Sequence, residues 1–315
     1  MMTNLLFCLN ATIPVFLLMI LGLVFMKLHI FDDDFVKRMN AFVFKIALPA
    51  LVFYDLGNED FYDVWDTRYV IFCFVATALS IGLVTLISFS LKDKNIQGEF
   101  IQVAYRSSAA IMGVALIQNL YGDAGMTPLM IIGSVPLYNI MAVIVLAFFK
   151  PDRQPMDRTL IKNTCWDIVC NPILIGIFAG LIWSLLPLTM PTIMDKTVES
   201  VAKLATPLGL MAMGATFDIK KALSSFRTAG LSAFIKLIGL GCIFLPIAIS
   251  MGFRADKLAA ILIMCGSPTT VSCYIMAKNM GHEGTLTSSA VMLTTFFSAF
   301  TLTLWLFILK SFGYL

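Results

Sequence analysis

The chain has 315 residues, of which 59% are hydrophobic and 13% are charged, and its mean hydropathy is +0.89. A soluble protein of this length could not cover so much apolar surface, so the composition excludes an ordinary globular fold and indicates a polytopic membrane protein. The net charge of +3 says little, because in membrane proteins the placement of charge matters more than its sum.

Ten apolar runs of roughly 20 residues follow one another, each long enough to cross ~30 Å of hydrocarbon. The N-terminal run lacks a basic flank and a cleavage motif, so we expect it to be retained as a span. We therefore predict an all-α integral membrane protein with ten transmembrane helices. Spans 1 to 5 lie near 5–27, 34–57, 67–91, 99–121 and 125–149, and spans 6 to 10 near 168–188, 193–217, 225–250, 255–279 and 284–310.

The second half of the chain repeats the first at an offset of 158 residues. The matched residues are Pro14 and Pro172, Gly22 and Gly180, Lys45 and Lys203, and Pro49 and Pro207. Because each copy holds five predicted spans, the second copy must enter the membrane from the opposite side. This predicts a 5+5 inverted repeat, with one copy at 1–149, a polar linker at 150–167 and the second copy at 168–315.

The lysines and arginines of the connections are unevenly divided between the two sides. Thirteen fall on the side of the linker and five on the other side. The richer side is expected in the cytoplasm. The prediction is a multi-pass membrane protein with both termini outside and the linker inside.

Spans 4 and 9 are the expected location of a binding site, because transporter sites form where paired helices are interrupted near the midplane. Span 9 contains Gly266-Ser267-Pro268-Thr269-Thr270, and its proline removes a backbone donor from the helix. Span 4 carries Ser107-Ser108-Ala109 at the corresponding place but no proline, so it gives a weaker indication of a break. A kink without a ligand is the alternative. The mid-span position, the hydroxyl groups and the repeat favour a substrate site.

Further charged and polar residues inside the predicted spans leave more than one interpretation. Arg106 either extends to the cytoplasmic surface or faces an anion. Lys45 and Lys203 are functional charges by default, with helix packing or a cavity-lining role as the alternative. Lys236 is a similar charge without a match in the repeat. Asn139 either forms a hydrogen bond between helices or reaches the site.

Several motifs together resemble the auxin efflux carrier family, and the likeness covers nearly the whole chain. They are Ser267-Pro268-Thr269-Thr270-Val271 with Ala277-Lys278, Tyr121-Gly122-Asp123, Leu137-Tyr138-Asn139, Asn171-Pro172 and Pro207-Leu208-Gly209. The resemblance implies a fold like that of bile-acid symporters and the NhaA antiporter, with spans 4 and 9 broken and crossing at the substrate. It also implies a dimerising scaffold of spans 1, 2, 6 and 7 and a transport domain of spans 3–5 and 8–10.

Members of that family move organic anions such as auxin, malonate and malate, and the short linker resembles that of bacterial members. The family's fourth helix commonly reads Asn-x-Gly-Phe-x-Gly-x-Pro. Here the stretch is Ser108-Ala109-Ala110-Ile111-Met112-Gly113-Val114-Ala115, without the asparagine, one of the glycines or the proline. This departure puts the usual ligand of the family in question.

The function predicted from these observations is secondary active transport of a small organic anion by an elevator-type movement. Half-helix N-termini near Ser108 and Ser267 would face a carboxylate, and Ser107, Ser108, Thr269 and Thr270 would donate hydrogen bonds. No P-loop motif occurs, so we expect coupling to a proton or sodium gradient, or uniport. The alternative is a membrane sensor or lipid-binding protein on the same fold.

No enzymatic cluster, cofactor, metal site or nucleic-acid partner is predicted. Only two histidines occur in the sequence, which argues against a histidine-based metal site or general base. The expected partners are a small organic anion, membrane lipid and a second copy of the chain, bound through the scaffold spans.

Overall fold

The computed structural model is all-helical, with no β-strand in the part of the chain that it describes. Most of the predicted linker (152–165 and 167) and part of span 4 (110–115) lie outside that part, as does the acidic stretch 59–63. The described residues are 2–57, 65–109, 116–118, 120–121, 125–151, 166, 168–186, 190–218, 220 and 225–315, with side chains from residue 13 onward.

The helices follow the predicted spans closely in order and position. The bounds of the described helices are α1 Met2–Lys27, α2 Asp33–Gly57, α3 Thr67–Ser88, α4 Gln97–Tyr105, α5 Thr127–Phe148, α6 Pro172–Leu185, α7 Thr192–Lys203, α8 Ala205–Ala215, α9 Phe226–Ser250, α10 Ala255–Gly266, α11 Ser272–Asn279 and α12 Thr285–Ser311. Two of these helices, α2 and α9, each include a five-residue π-helical stretch, Val43–Ala47 and Ile235–Gly239.

Five of the described helices are long and apolar enough to cross a membrane, namely α2, α3, α5, α9 and α12. Two shorter apolar segments, Ile13–Lys27 of α1 and α6, come next in length. The prediction of an all-helical membrane protein is confirmed, whereas the number of ten spans stays a prediction.

Span 7 consists of two helices, α7 and α8. They are separated by Leu204 alone, whose backbone stays in the helical region with φ −72° and ψ −23°. The α7 segment carries Asp195, Lys196 and Glu199, and Ala202 is its one buried residue. Apolar residues on both sides of these charges complete a 20-residue length, which is why the sequence pattern joins α7 and α8 into one span.

Polar residues just before several helices explain where those helices begin. Asp32 accepts the N–H of Phe35 before α2, and Asn171 accepts the N–H of Ile173 before α6. Asp66 accepts the N–H of Tyr69 before α3 and also forms a 2.7 Å ion pair with Lys257. The hydrogen bond from Lys257 lowers the pKa of Asp66 below its ordinary value. Each side-chain oxygen satisfies one of the free N–H groups at a helix start.

Two pairs of helices approach closely because glycine replaces a side chain at the contact. Between α1 and α8, a Cβ on Gly22 would lie 2.0 Å from the carbonyl oxygen of Met211, and a Cβ on Gly214 would lie 2.0 Å from that of Met19. Between α2 and α6, a Cβ on Gly180 would lie 3.1 Å from the carbonyl oxygen of Phe53. Small residues that let backbones touch are a common device for packing helices in membranes.

Loops that the charge count assigns to one side of the membrane lie together at one end of the molecule. Arg68 at the start of α3 donates a 2.8 Å hydrogen bond to the carbonyl oxygen of Met251, at the end of α9. The guanidinium of Arg254 lies 4.9 Å from the ring centre of Tyr314.

At the other end, the Glu99 carboxylate accepts the backbone N–H groups of Gly284 and Thr287 at 2.8 and 2.9 Å. These contacts bring the start of α4 to the start of α12, as the alternation of predicted spans requires.

Candidate functional site

Two helical segments of the chain stop in the interior of the protein, and the second resumes after a few residues. The first, α4, ends at Tyr105, and Arg106 takes an extended conformation with φ −77° and ψ 131°. The second, α10, ends at Gly266, and Ser267 is extended with φ −74° and ψ 160° before α11 begins at Ser272. The breaks predicted in spans 4 and 9 are therefore present in the described backbone.

The two breaks are bonded directly to each other. The N–H of Ser108 donates to the carbonyl oxygen of Pro268 at 2.9 Å. The hydroxyl of Ser107 donates to the carbonyl oxygen of Met264, and the hydroxyl of Thr269 donates to that of Val103 at 2.8 Å. Each break thus satisfies backbone groups that the other leaves without helical partners, as the apolar interior of a membrane protein demands.

Further donors converge on the end of α10. The carbonyl oxygen of Met264 also accepts the hydroxyl of Tyr138 at 3.0 Å and the ammonium of Lys236 at 3.2 Å. Lys236 donates in addition to the carbonyl oxygen of Cys265 at 2.9 Å. The break in span 9 is therefore held from α5 and α9 as well as from α4.

A pocket opens beside the two breaks, between α2, α5 and α6. Its cavity volume is about 60 Å³, and Leu48, Leu51 and Val52 of α2 give it one apolar wall. A cavity of that size has room for a few water molecules or for a compact ligand. The polar lining comes from both breaks and from α2 and α5, and consists of Asp55, Arg106, Ser107, Ser108, Tyr138, Asn139, Thr270 and Ser272.

Arg106 is the cation of this pocket. Its side chain is only 4% exposed, so it does not extend to the membrane surface. The guanidinium donates to Asn139 Oδ1 and to the sulfur of Met276, while the Asn139 amide donates to the carbonyl oxygen of Val135. A guanidinium has five N–H donors, so it retains donors for a ligand in the pocket. Of the two interpretations of Arg106, extension to the cytoplasmic surface is wrong, and an anion facing the guanidinium stays a prediction.

The predicted site residues fall into two groups around this pocket. Arg106, Ser107, Ser108, Ala109, Asn139 and Thr270 line it. Gly266, Ser267, Pro268 and Thr269 are not among the lining residues, and Ser267 and Thr269 are 0% and 2% exposed. In the second group, the carbonyl oxygen of Pro268 and the hydroxyl of Thr269 bond the other break behind the pocket wall, whereas the buried hydroxyl of Ser267 forms no hydrogen bond with the described residues.

Lys45 and Lys203 lie apart from the pocket. Both are exposed on the outer surface of the single chain, and Lys203 forms a 2.6 Å ion pair with Glu199, one turn earlier in α7. Within a single chain, the prediction that these lysines face protein or a water-filled cavity is wrong.

Three pocket residues are not singled out by the sequence patterns above. Asp55 could have been found, because a carboxylate inside an apolar run is a functional candidate by default. Tyr138 stands out only as part of a motif, and Ser272 only as one of several hydroxyls near Pro268. The described residues include no cluster of three or more metal-binding side chains.

Comparison with known proteins identifies the family. A family model described as "Membrane transport protein" matches residues 7–306, which is nearly the whole chain. The chain belongs to the auxin efflux carrier family of membrane transport proteins. The family consists of transporters and not enzymes, and with five long apolar helices this member is a multi-pass membrane protein.

The relatives of this carrier are distant in sequence. A putative malonate transporter of Rhizobium meliloti is 20% identical over 309 residues, covering 96% of both chains. The uncharacterized transporter YfdV of Escherichia coli is 21% identical, covering 96% of this chain and 98% of its own. A probable auxin efflux carrier component 5a of Oryza sativa is 24% identical over 148 residues, covering 44% of this chain and 40% of its own.

Proposed function

We propose that this carrier is a secondary active transporter of a small organic anion. The observation that carries the proposal is the buried Arg106 in a polar pocket where two interrupted helices meet. A buried guanidinium facing a cavity is suited to a carboxylate, which it binds through two parallel hydrogen bonds. The name of the Rhizobium relative, a putative malonate transporter, points to the same class of substrate.

The start of α11 adds a second feature that favours an anion, beside Arg106, in a pocket whose lining also contains the carboxylate of Asp55. Thr270 and Ser272 lie at this helix N-terminus and both line the pocket. The N–H groups of Cys273 and Tyr274 already donate to the carbonyl oxygens of Thr270 and Val271, so the dipole of this helix is what favours an anion here. The substrate site of the proposal therefore comprises Arg106, Ser107, Ser108, Asn139, Thr270 and Ser272.

An elevator-type movement is part of the proposal. The pocket lies between α2 and α6 on one side and α5 and the two breaks on the other. These are the predicted scaffold and transport domain, so a substrate would be bound at the boundary across which such a movement occurs. A homodimer through the scaffold spans belongs to the same proposal.

The 5+5 inverted repeat is supported by an exchange of contact partners. The offset of 158 residues relates Gly22 to Gly180 and Phe53 to Met211. Gly22 of the first copy contacts Met211 of the second, and Gly180 of the second copy contacts Phe53 of the first. Each contact therefore becomes the other when the two copies are exchanged. A two-fold axis between two copies produces this exchange, and with five spans per copy that axis lies in the membrane plane. Both termini would then lie outside a bacterial plasma membrane, with the linker in the cytoplasm.

Counterflow in proteoliposomes tests the proposed function. Vesicles containing the purified carrier and unlabelled malonate should accumulate radiolabelled malonate well above protein-free vesicles. Unlabelled malate should compete, and malonamide, the uncharged analogue, should not. Binding of malonate without any flux would favour the alternative, a membrane sensor on this fold, and neither binding nor flux for any organic anion would contradict the proposal.

Adjacent threonines in the second break should have separable effects. Thr270→Val removes a pocket hydroxyl and should weaken malonate binding by about 2- to 12-fold, the equivalent of 0.5–1.5 kcal/mol, with little change in melting temperature. Thr269→Val leaves the carbonyl of Val103 without its donor and should lower the free energy of unfolding by about 1–3 kcal/mol. The malonate affinity and the melting temperature of both variants are to be measured. If both substitutions change the affinity equally, the assignment of Thr270 to the pocket and of Thr269 to the support behind it is contradicted.

A further inference from the structure

Lys236 is a fully buried charge that the proposed substrate site does not use. It lies in the π-helical stretch Ile235–Gly239 of α9, and its side chain is 0% exposed. Among the described residues no carboxylate forms an ion pair with it. Its hydrogen bonds go to two backbone carbonyl oxygens, those of Met264 and Cys265.

These two carbonyls are left without helical partners by the break in span 9. In a continuous helix they would accept the N–H groups of residues 268 and 269. Pro268 has no N–H, and the N–H of Thr269 donates instead to the hydroxyl of Thr294 at 3.1 Å. Both carbonyls therefore form the negative end of the half-helix α10, and they require a donor or a cation.

The ammonium of Lys236 occupies the kind of position that a coupling ion takes in transporters with interrupted helices. In such transporters, unwound carbonyls and the C-terminal ends of half-helices coordinate Na⁺ near the substrate. Here a covalently attached cation bonds the same kind of oxygen atoms at 2.9 and 3.2 Å. A second cation at these oxygens would lie in contact with the ammonium, in a region with no described carboxylate to balance it.

The same carbonyl connects the lysine to the pocket. Ser107 and Tyr138 both line the pocket, and both donate their hydroxyls to the carbonyl oxygen of Met264. The amine group of Lys236 thus lies one hydrogen bond behind the pocket wall. It can offset the charge of an anionic substrate as a bound metal ion would.

We propose that Lys236 is a tethered cation in the place of a coupling ion at the end of α10, so that anion binding by this carrier requires no Na⁺. The statement about anion binding rests on the proposed function. The statement about the cation position does not, because it can be tested without any organic anion.

The first test uses the unmodified, purified protein. Its melting temperature in NaCl should equal that in choline chloride at the same ionic strength, because the carbonyls already hold a cation and choline is too large to bind there. A saturable increase of the melting temperature with Na⁺ would overturn the proposal.

The second test removes the tethered charge. Lys236→Met should lower the melting temperature in choline chloride by about 5 °C or more, since the carbonyl oxygen of Cys265 loses its donor and that of Met264 keeps only the hydroxyls of Ser107 and Tyr138. Na⁺ should then restore at least half of the loss with a saturable dependence. The matched control is Lys45→Met, which changes an exposed lysine in the other π-helical stretch and should show no response to Na⁺. A folded Lys236→Met protein that Na⁺ does not stabilise would overturn the proposal.

Malonate binding provides the measurement if Lys236→Met does not fold. The affinity of the unmodified protein for malonate should be the same in NaCl and in choline chloride, and a tenfold tighter binding in NaCl would contradict the proposal. If malonate does not bind in either salt, malonate is excluded as a substrate, whereas the melting temperatures in the two salts still test the cation position.

Discussion

Replacing Arg106 by methionine should weaken malonate binding by about 10- to 150-fold. Hydrogen bonds to charged groups contribute about 1.5–3 kcal/mol each, and the substitution removes the cation of the pocket. Arg106→Lys keeps the charge but loses the planar pair of donors, so we expect an intermediate affinity. The dissociation constant is to be measured by titration of the purified proteins.

The control for this prediction is the same substitution at an exposed arginine. Arg227→Met, near the start of α9, should bind malonate like the unmodified protein. Arg106→Met also removes the donor to Asn139 Oδ1, so its melting temperature must be measured beside its affinity. Unchanged malonate affinity in a folded Arg106→Met protein would remove Arg106 from the site.

Gly22→Ala should lower the free energy of unfolding by about 2 kcal/mol or more. The added Cβ would lie 2.0 Å from the carbonyl oxygen of Met211, so α1 and α8 must move apart. Overpacking of a well-packed core typically destabilises by about 1–3 kcal/mol, and here the obstructing atom belongs to the backbone. Gly214→Ala, at the reciprocal contact with Met19, should behave in the same way.

The matched control is Gly82→Ala in α3, where an added Cβ would meet no atom within 4 Å. Alanine is the better helix former, by about 0.5–1 kcal/mol, so this variant should be as stable as the unmodified protein or slightly more stable. The melting temperatures of Gly22→Ala, Gly214→Ala and Gly82→Ala are to be compared with that of the unmodified protein in one detergent. Equal values for Gly22→Ala and Gly82→Ala would contradict the close contact between α1 and α8.

The amino-acid sequence predicts the elements of this fold better than it predicts their contacts. Apolar length alone locates the helices, because a span must satisfy its backbone groups internally. The break in span 9 is predictable from Pro268, since a proline removes a helical donor. The break at Arg106 has no comparable local signal. It is stabilised by Ser107 and Ser108 through partners about 160 residues away.

The candidate site could be predicted by region but not residue by residue. Hydroxyl groups beside a break either face the ligand or satisfy freed carbonyls, and the sequence does not distinguish the two. Thr270 lines the pocket, whereas Thr269 bonds the carbonyl of Val103. Lys236 and Lys203 are both lysines of predicted spans, yet one is fully buried against two carbonyls and the other is exposed beside Glu199. Tertiary contacts decide each of these roles.

The central claim is that the two breaks form one binding site for an organic anion, and protection of a cysteine placed in that site tests it most directly. In a Thr270→Cys protein, alkylation of residue 270 by a small thiol reagent can be followed by mass spectrometry, with the exposed native Cys170 as the internal reference. We expect saturating malonate to slow alkylation of residue 270 at least tenfold without affecting Cys170, and malonamide to have no effect. Alkylation of residue 270 at the same rate with and without malonate, in a protein that still binds malonate, would contradict the claim.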